Sequence, residues 1–126
     1  MIVADTDVLI DFLADRNPGA GRVAIEIAAG QLYTTAVTRF ELLAGARTDV
    51  QRVRVLQLLG PLRVLALDTP AADAAAEVRR SLEAGGMSIG MADSLIAGIV
   101  LSQGGLLLTR NRRHFERVPG LKLGRL

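Results

Sequence analysis

The sequence predicts an α/β fold in which a short parallel sheet of four to five strands is covered by helices on both faces. Short apolar or β-branched runs recur along the 126 residues, at 2–4, 32–36, 63–67 and 106–109, and a last run at 121–126 predicts a short edge strand. Longer stretches with helical spacing separate these runs, and strands joined through helices pair in parallel with both faces buried. We therefore expect a single domain over residues 1–126.

The first predicted helix, at residues 7–15, has an apolar side and an acidic side. Its apolar side carries Val8, Leu9, Phe12 and Leu13, whereas Asp7, Asp11 and Asp15 follow one another at four-residue steps on the other side. This spacing predicts that the three aspartates face away from the core.

Glycine and proline residues bound the remaining predicted helices. These helices cover residues 21–29, 38–45, 49–59, 69–84 and 90–102. Glycine ends several of them, and Pro70 stands near the start of the long alanine-rich one. Asp68, which precedes that helix, is explained as its cap. Two helices thus lie between most successive strands.

Composition and charge exclude several classes of function. The chain has no cysteine, which excludes disulfides and thiolate metal sites and favours a reducing cytoplasm. No basic residue precedes an apolar run at the N-terminus, and the longest uncharged stretch, 94–109, is too short to span a membrane. We expect a soluble, cytoplasmic protein. The net charge is +2, but residues 110–126 hold six basic residues against Glu116 alone, which gives this tail +5.

Three acidic residues stand where the local pattern calls for apolar ones. Asp5 follows the apolar start of the chain, while Glu41 and Asp93 lie inside apolar helical segments. An unpaired buried carboxylate is costly, and no lysine or arginine adjoins Asp5 or Asp93. All three fall where they can face the carboxyl edge of the sheet, the usual ligand-binding edge of such folds. A cation held between them would explain all three.

Capping is the alternative reading for two of these acids. Asp5 can cap the first helix, although Thr6 and Asp7 lie closer to its predicted start. Glu41 fits a capping box that begins at Thr38, in which it would return a bond to the cap residue. Asp93 has no such alternative, because it lies within the apolar stripe of its helix.

The chemistry of the three side chains selects the kind of cation. Carboxylate oxygens without histidine or cysteine suit Mg²⁺, with Mn²⁺ as a substitute, and do not suit zinc. A cation held in this way can activate a water molecule and offset charge on a phosphoryl group.

Four segments of the chain together resemble the PIN-domain family, and specifically the VapC-type toxin ribonucleases of toxin–antitoxin pairs. These segments are VADTDVLI (3–10), TRFELLAG (38–45), ADSLIA (92–97) and LTRNRRHF (108–115). The resemblance covers essentially the whole chain in order and spacing. It implies a PIN-like fold and an acidic metal-binding and catalytic set of Asp5, Glu41 and Asp93, supported by Thr6 and Asn111.

The same resemblance implies the activity and the partners. The protein would be a Mg²⁺-dependent endoribonuclease toxin that cleaves single-stranded or loop RNA, forms a homodimer and is silenced by a cognate antitoxin lying in an apolar groove between helices. Family members often carry an acid at the position of Asn111 or immediately before the Phe of the last segment, where this chain has Asn111 and His114. That departure favours one tightly held ion.

Basic residues in the last segment have two readings. Arg110, Arg112 and Arg113 flank the expected site, where they can bind RNA phosphates or form a solvated loop. His114, the only histidine, is better explained as a ring covering the core edge beside Phe115 than as a general base.

Two other functions compete with the nuclease. A receiver-like signalling domain also binds Mg²⁺ through carboxylates, but it has one helix between successive strands and adjacent acids after the first strand, and it leaves Glu41 and Asp93 unexplained. A catalytically silent RNA-binding relative is disfavoured because all three acids are present.

Overall fold

The computed structural model describes residues 1–126, which form one α/β unit. In chain order its elements are β1 (Ile2–Ala4), α1 (Thr6–Leu13), α2 (Gly19–Ala28), β2 (Leu32–Thr35), α3 (Ala36–Gly45), α4 (Asp49–Leu59), β3 (Arg63–Leu65), α5 (Thr69–Ala84), α6 (Met91–Gln103), β4 (Leu106–Leu108), α7 (Arg112–Phe115) and β5 (Lys122–Leu123). The predicted α/β class and five strands are confirmed. The short helix α7 was not predicted, because four residues are too few to show a period.

The five strands form one parallel sheet in the order β3-β2-β1-β4-β5. Strand β1 lies at the centre, with Val3 opposite Tyr33 of β2 on one side and Leu107 of β4 on the other. The chain first builds outward through β2 and β3, then crosses back through α5 and α6 to place β4 on the other side of β1. The strand order therefore switches between β1 and β4, and ligands of such sheets bind beyond the carboxyl ends at this point.

Alternating side chains of the central strands supply two separate cores. Val3 and Leu107 point to one face, where they pack with α5, α6 and Phe115 of α7. Ala4 and Leu108 point to the other face, where they pack with α1, α2, α3 and α4. Because each face needs its own apolar cover, the expected helices on both faces are confirmed.

Two helices precede each of β2, β3 and β4, as the sequence predicted. This arrangement disagrees with the receiver-like alternative, which needs a single helix between strands. None of the helices is long and apolar enough to cross a membrane.

The start of α3 differs from the prediction in a way that matters for the site. The helix begins at Ala36, and its cap is Thr35, whose hydroxyl accepts a bond from the Thr38 amide at 3.0 Å. Thr35 can cap because β2 ends there with extended backbone, so the helix starts two residues before the expected Thr38. Glu41 consequently lies in the second turn of α3, and the capping-box reading of Glu41 is wrong.

Candidate active site

Asp5 lies at the switch point of the sheet, immediately after β1. Its side chain is 5% exposed. Its Oδ1 accepts a bond from the Thr6 amide at 2.8 Å, which makes Asp5 the N-cap of α1 in place of the expected Thr6 or Asp7. Its Oδ2 accepts a bond from the Thr109 hydroxyl at 2.7 Å, and Thr109 follows β4. Asp5 can therefore cap α1 through one carboxylate oxygen and still belong to the candidate site.

The surroundings of Asp5 oppose its ionised form. The pKa of Asp5 is raised from 3.8 to about 7, chiefly by burial and also by the nearby carboxylates of Asp7 and Asp93, whereas the bonds from Thr109 and Thr6 lower it. Burial also raises the pKa of Asp7. This end of the sheet therefore concentrates carboxylates around a buried Asp5.

Glu41 reaches the same place from α3 through Thr6. The Thr6 hydroxyl donates a bond of 2.7 Å to Glu41 Oε1 and lies 3.1 Å from the Thr38 hydroxyl. Thr6 adjoins Asp5 in the chain, so one threonine links the first two acids. The sequence predicted Thr6 as a supporting residue of the site, and that role stays a prediction.

Asp93 lies in the first turn of α6, where Asn111 and His114 contact it. The Asn111 side-chain amide donates to Asp93 Oδ2 at 3.2 Å. His114 Nδ1 lies 3.0 Å from Asp93 Oδ2 and 3.0 Å from Asn111 Nδ2. The interpretation of His114 as a ring covering the core edge did not include this contact with Asp93. Its ring nitrogen points at an acid of the candidate site because α7 turns residues 111 and 114 to one side.

The segment that joins β4 to α7 is bonded to α1, which the sequence did not reveal. The Arg110 amide donates to Asp7 at 3.0 and 3.2 Å, and Arg110 Nε lies 2.7 Å from Asp11 Oδ2. Asp11 is 4% exposed, so the expectation that it faces away from the core is wrong. The four-residue spacing could not reveal the ion pair of Asp11, because its partner Arg110 lies about a hundred residues away in the sequence.

The other arginines of this segment remain at the surface. Arg112 contacts Glu116 and donates to the Gly124 carbonyl at 2.9 Å, and Arg113 is exposed. A cleft of about 550 Å³ opens here, lined by Thr109, Arg110, Arg112, Arg125 and Leu126. Arg110, Arg112, Arg113 and Arg125 form a basic rim around this cleft. The sequence did not single out Arg125, which lies here because β5 returns the chain beside α7.

The structure brings the predicted acids to one edge of the sheet, although not into a tight cluster. No three side chains of His, Asp or Glu converge closely enough to coordinate one ion directly as they stand. The donors are nevertheless oxygen atoms, and none of the three acids pairs with lysine or arginine. Mg²⁺ keeps several of its waters when it binds to proteins, so its site does not require direct contact with every acid.

Comparison with known proteins identifies the family. The PIN domain family model matches residues 2–121. The chain is 32% identical over 122 residues to the tRNA(fMet)-specific endonuclease VapC of Shigella flexneri, which covers 94% of this chain and 92% of that protein.

Solved structures agree in fold. VapBC2 from Rickettsia felis, bound to a DNA fragment from its promoter, superposes with a TM-score of 0.85 at 22% identity, covering 98% of both chains. DNA-bound VapBC from Salmonella typhimurium gives a TM-score of 0.81 at 27% identity, covering 98% of this chain and 96% of that one. The chain therefore belongs to the PIN-domain family and, within it, to the VapC-type proteins.

Proposed function

We propose that this protein is a Mg²⁺-dependent endoribonuclease and the toxin of a VapBC-type toxin–antitoxin module. The observation that carries the proposal is that Asp5, Glu41 and Asp93 all lie at the carboxyl edge of the sheet, around the switch point between β1 and β4. Each acid is held there by a neutral donor: Thr109, Thr6 and Asn111, respectively. These donors orient the carboxylates, and none of the three acids has a lysine or arginine partner that would compete with a cation.

Each group has a defined part in the proposed chemistry. Asp5, Glu41 and Asp93 would hold the cation, and Thr6 and Asn111 fix the directions of Glu41 and Asp93. A cation held there would make a water molecule more acidic and offset negative charge on the phosphodiester. The buried setting of Asp5 strengthens its attraction to a cation, because little water competes there.

The basic rim gives the RNA a path to these acids. Arg112 and Arg125 line the cleft beside Thr109, and Arg113 is exposed next to them. Arginine forks suit phosphate oxygens. Arg110, which shares the cleft, already pairs with Asp11, so it adds less to the positive charge than its neighbours.

A structured RNA with an exposed loop is the proposed substrate. Unpaired loops present accessible phosphodiesters, and the chain has few aromatic side chains for stacking along an extended single strand. The relative from Shigella flexneri is named for tRNA(fMet), which makes initiator tRNA the first substrate to test.

The antitoxin would occupy an apolar groove between α1, α3 and α4. This groove, of about 370 Å³, is lined mainly by Ile10, Leu13, Leu42, Ala46 and Val55, and Glu41 lies on its edge. An amphipathic helix suits such a groove. A partner bound there would lie beside a proposed catalytic carboxylate, which gives a direct route to inhibition.

A second copy of the chain would cover a different apolar face. Phe40, Leu67 and Met91 are 69%, 42% and 65% exposed and lie around one cavity between α3 and α6. Large side chains exposed together in this way are typical of interfaces. We propose that this face forms the homodimer.

Cleavage of labelled RNA tests the proposed activity. The purified chain is incubated with initiator tRNA, a second tRNA and a hairpin RNA, with Mg²⁺ or Mn²⁺ and with EDTA. We expect endonucleolytic products with either metal, and none with EDTA or for the Asp93→Asn variant. An Asp73→Asn variant is the matched control, because Asp73 is an exposed residue of α5.

Two results would overturn the proposal. Cleavage that survives EDTA or the Asp93→Asn substitution would exclude the metal site. Binding of RNA without cleavage, under all metal conditions, would identify the catalytically silent alternative.

A further inference from the structure

Asp11 is a buried charged residue for which the proposed chemistry has no use. It lies in the second turn of α1, is 4% exposed, and its Oδ2 is 2.7 Å from Arg110 Nε. Arg16 Nε is farther, at 3.8 Å from Oδ1. Gly19 of α2 packs directly against this carboxylate, because a Cβ added at Gly19 would lie 2.7 Å from Asp11 Oδ2. Helix α2 thus closes over the carboxylate and leaves Arg110 as its close partner.

Removing the cationic partner of a carboxylate buried in this way is strongly destabilising, because the buried charge is then left uncompensated. Arg110 therefore has a fixed position, and the backbone around it is fixed as well. Its amide donates to Asp7, and the preceding Thr109 donates to Asp5. Helix α1 holds the segment after β4 through Asp7, Asp11 and its N-cap, Asp5.

The residue after Arg110 is the one that orients Asp93. The Asn111 amide donates to the Thr109 hydroxyl at 2.9 Å, and its side chain donates to Asp93 Oδ2. His114 reaches the same oxygen from the next turn. Any displacement of Arg110 is passed directly to Asn111, since the two are adjacent in the chain.

We propose that Asp11 is a positioning residue of the active site, acting through its ion pair with Arg110. The pair fixes residues 109–111 so that Asn111 and His114 contact Asp93, and Asp5 is the N-cap of the helix that carries Asp11. Arg110 accordingly positions residues of the site, and the other arginines bind phosphate. The catalytic part of this proposal rests on the proposed nuclease function, whereas the structural part does not.

The single histidine gives a direct readout of the structural part. In the metal-free protein, at one fixed pH, the NMR signals of the His114 ring report its contact with Asp93 and Asn111. We expect these signals to shift in Asp11→Asn and in Arg110→Gln, and to shift to the same position in the double variant. Asp15→Asn is the matched control: it removes the same charge from an exposed residue beside α1, with a φ of 53° that asparagine accepts.

Kinetics test the catalytic part. Loss of an outer partner of a metal site typically lowers activity by about ten- to a hundredfold, and we expect kcat to fall by that factor in both single variants with KM little changed. The double variant should be no worse than either single one, because both changes break one contact. Asp11→Glu, which keeps the charge, should recover part of the lost kcat.

The outcomes separate this proposal from the nuclease proposal. If the wild-type protein cleaves no RNA, the NMR comparison still tests the contact. Unchanged His114 signals in both variants would overturn the positioning role. A rise in KM at constant kcat for Arg110→Gln would overturn it as well, since that result would make Arg110 a phosphate ligand.

Discussion

At the scale of single residues, the candidate site combines charged acceptors with neutral donors. Asp5, Glu41 and Asp93 accept bonds from hydroxyl and amide groups, and the nearby Arg110 is paired with Asp11 instead. No lysine or arginine therefore neutralises these acids, and the ring of His114 is the one basic group in contact with them, at Asp93. Such an arrangement is costly for folding and useful for binding a cation, as at other functional sites where stability is given up for activity.

Replacing Asp5 should stabilise the metal-free protein at alkaline pH. The pKa of Asp5 is about 7 in the folded state against 3.8 for an unperturbed aspartate, so its ionised form opposes folding. We expect Asp5→Asn to raise the free energy of unfolding at pH 8 by on the order of 2–4 kcal/mol. The gain should shrink as the pH falls through 7 towards 4, where the folded wild-type protein becomes protonated at this site.

Urea denaturation in EDTA at pH 5 and pH 8 measures this effect. The difference between variant and wild type, compared at the two pH values, removes contributions from other groups. If the variant were less stable than the wild type at pH 8, the ionised form of Asp5 would not destabilise the folded state.

At the scale of elements, packing between α5 and α6 holds Asp93 in place. An added Cβ at Gly98 of α6 would come within 2.5 Å of the Ala75 Cβ and backbone nitrogen in α5. Since backbone cannot yield as a flexible side chain does, the two helices must separate. Asp93, in the first turn of α6, would move with them.

Gly98→Ala should therefore destabilise the fold despite the better helix propensity of alanine. Overpacking typically costs about 1–3 kcal/mol, and this contact, with backbone on one side, should lie at the upper end. Gly45→Ala is the matched control, because nothing lies within 4 Å of an added Cβ there, at the end of α3. Urea midpoints would be compared, and equal midpoints for Gly98→Ala and wild type would contradict the close approach of α5 and α6.

The elements could be predicted from the sequence more fully than the contacts between them. Apolar runs and helical spacing gave all five strands and six of the seven helices, since both signals are local. Asp93 stood out because an acid interrupted an apolar stripe. Glu41 was explained in part by a cap that does not form, because Thr35 and Thr38 are both able to start the helix and only the strand end decides between them.

The contacts that the sequence missed are all long-range. Asp7 bonds to Arg110 across 103 residues, and Asp11 shares that partner. Their helical spacing suggested a solvated side, because nothing local shows that another segment covers it. The contact of His114 with Asp93 was missed for a similar reason: the direction of the ring depends on α7, a helix too short to show a period in the sequence.

At the scale of the whole molecule, one sheet edge is flanked by two apolar surfaces. Glu41 lines both the groove between α1, α3 and α4 and the cavity beside Phe40 and Met91. The proposed antitoxin and the proposed second copy would thus bind on either side of the same carboxylate. Assembly and activity are expected to be coupled through α3.

Phe40→Asp should convert the proposed homodimer into a monomer. The substitution places a charge at the centre of the apolar face, where dimerisation would have to bury it. Light scattering after gel filtration gives the molar mass. Ile25→Asp is the matched control, since Ile25 is 64% exposed on α2, away from that face. A dimer that persists in Phe40→Asp would exclude this surface.

Binding of Mn²⁺ to the purified chain, measured by electron paramagnetic resonance or calorimetry, tests the central claim most directly, because it requires neither substrate nor partner. We predict one ion per chain, displaced by Mg²⁺. In Asp93→Asn the affinity should fall by more than about tenfold, since loss of a charged ligand costs at least as much as loss of an outer partner. Asp73→Asn should bind as the wild type does. Equal affinity in Asp93→Asn and wild type, or no binding to the wild type, would contradict the account.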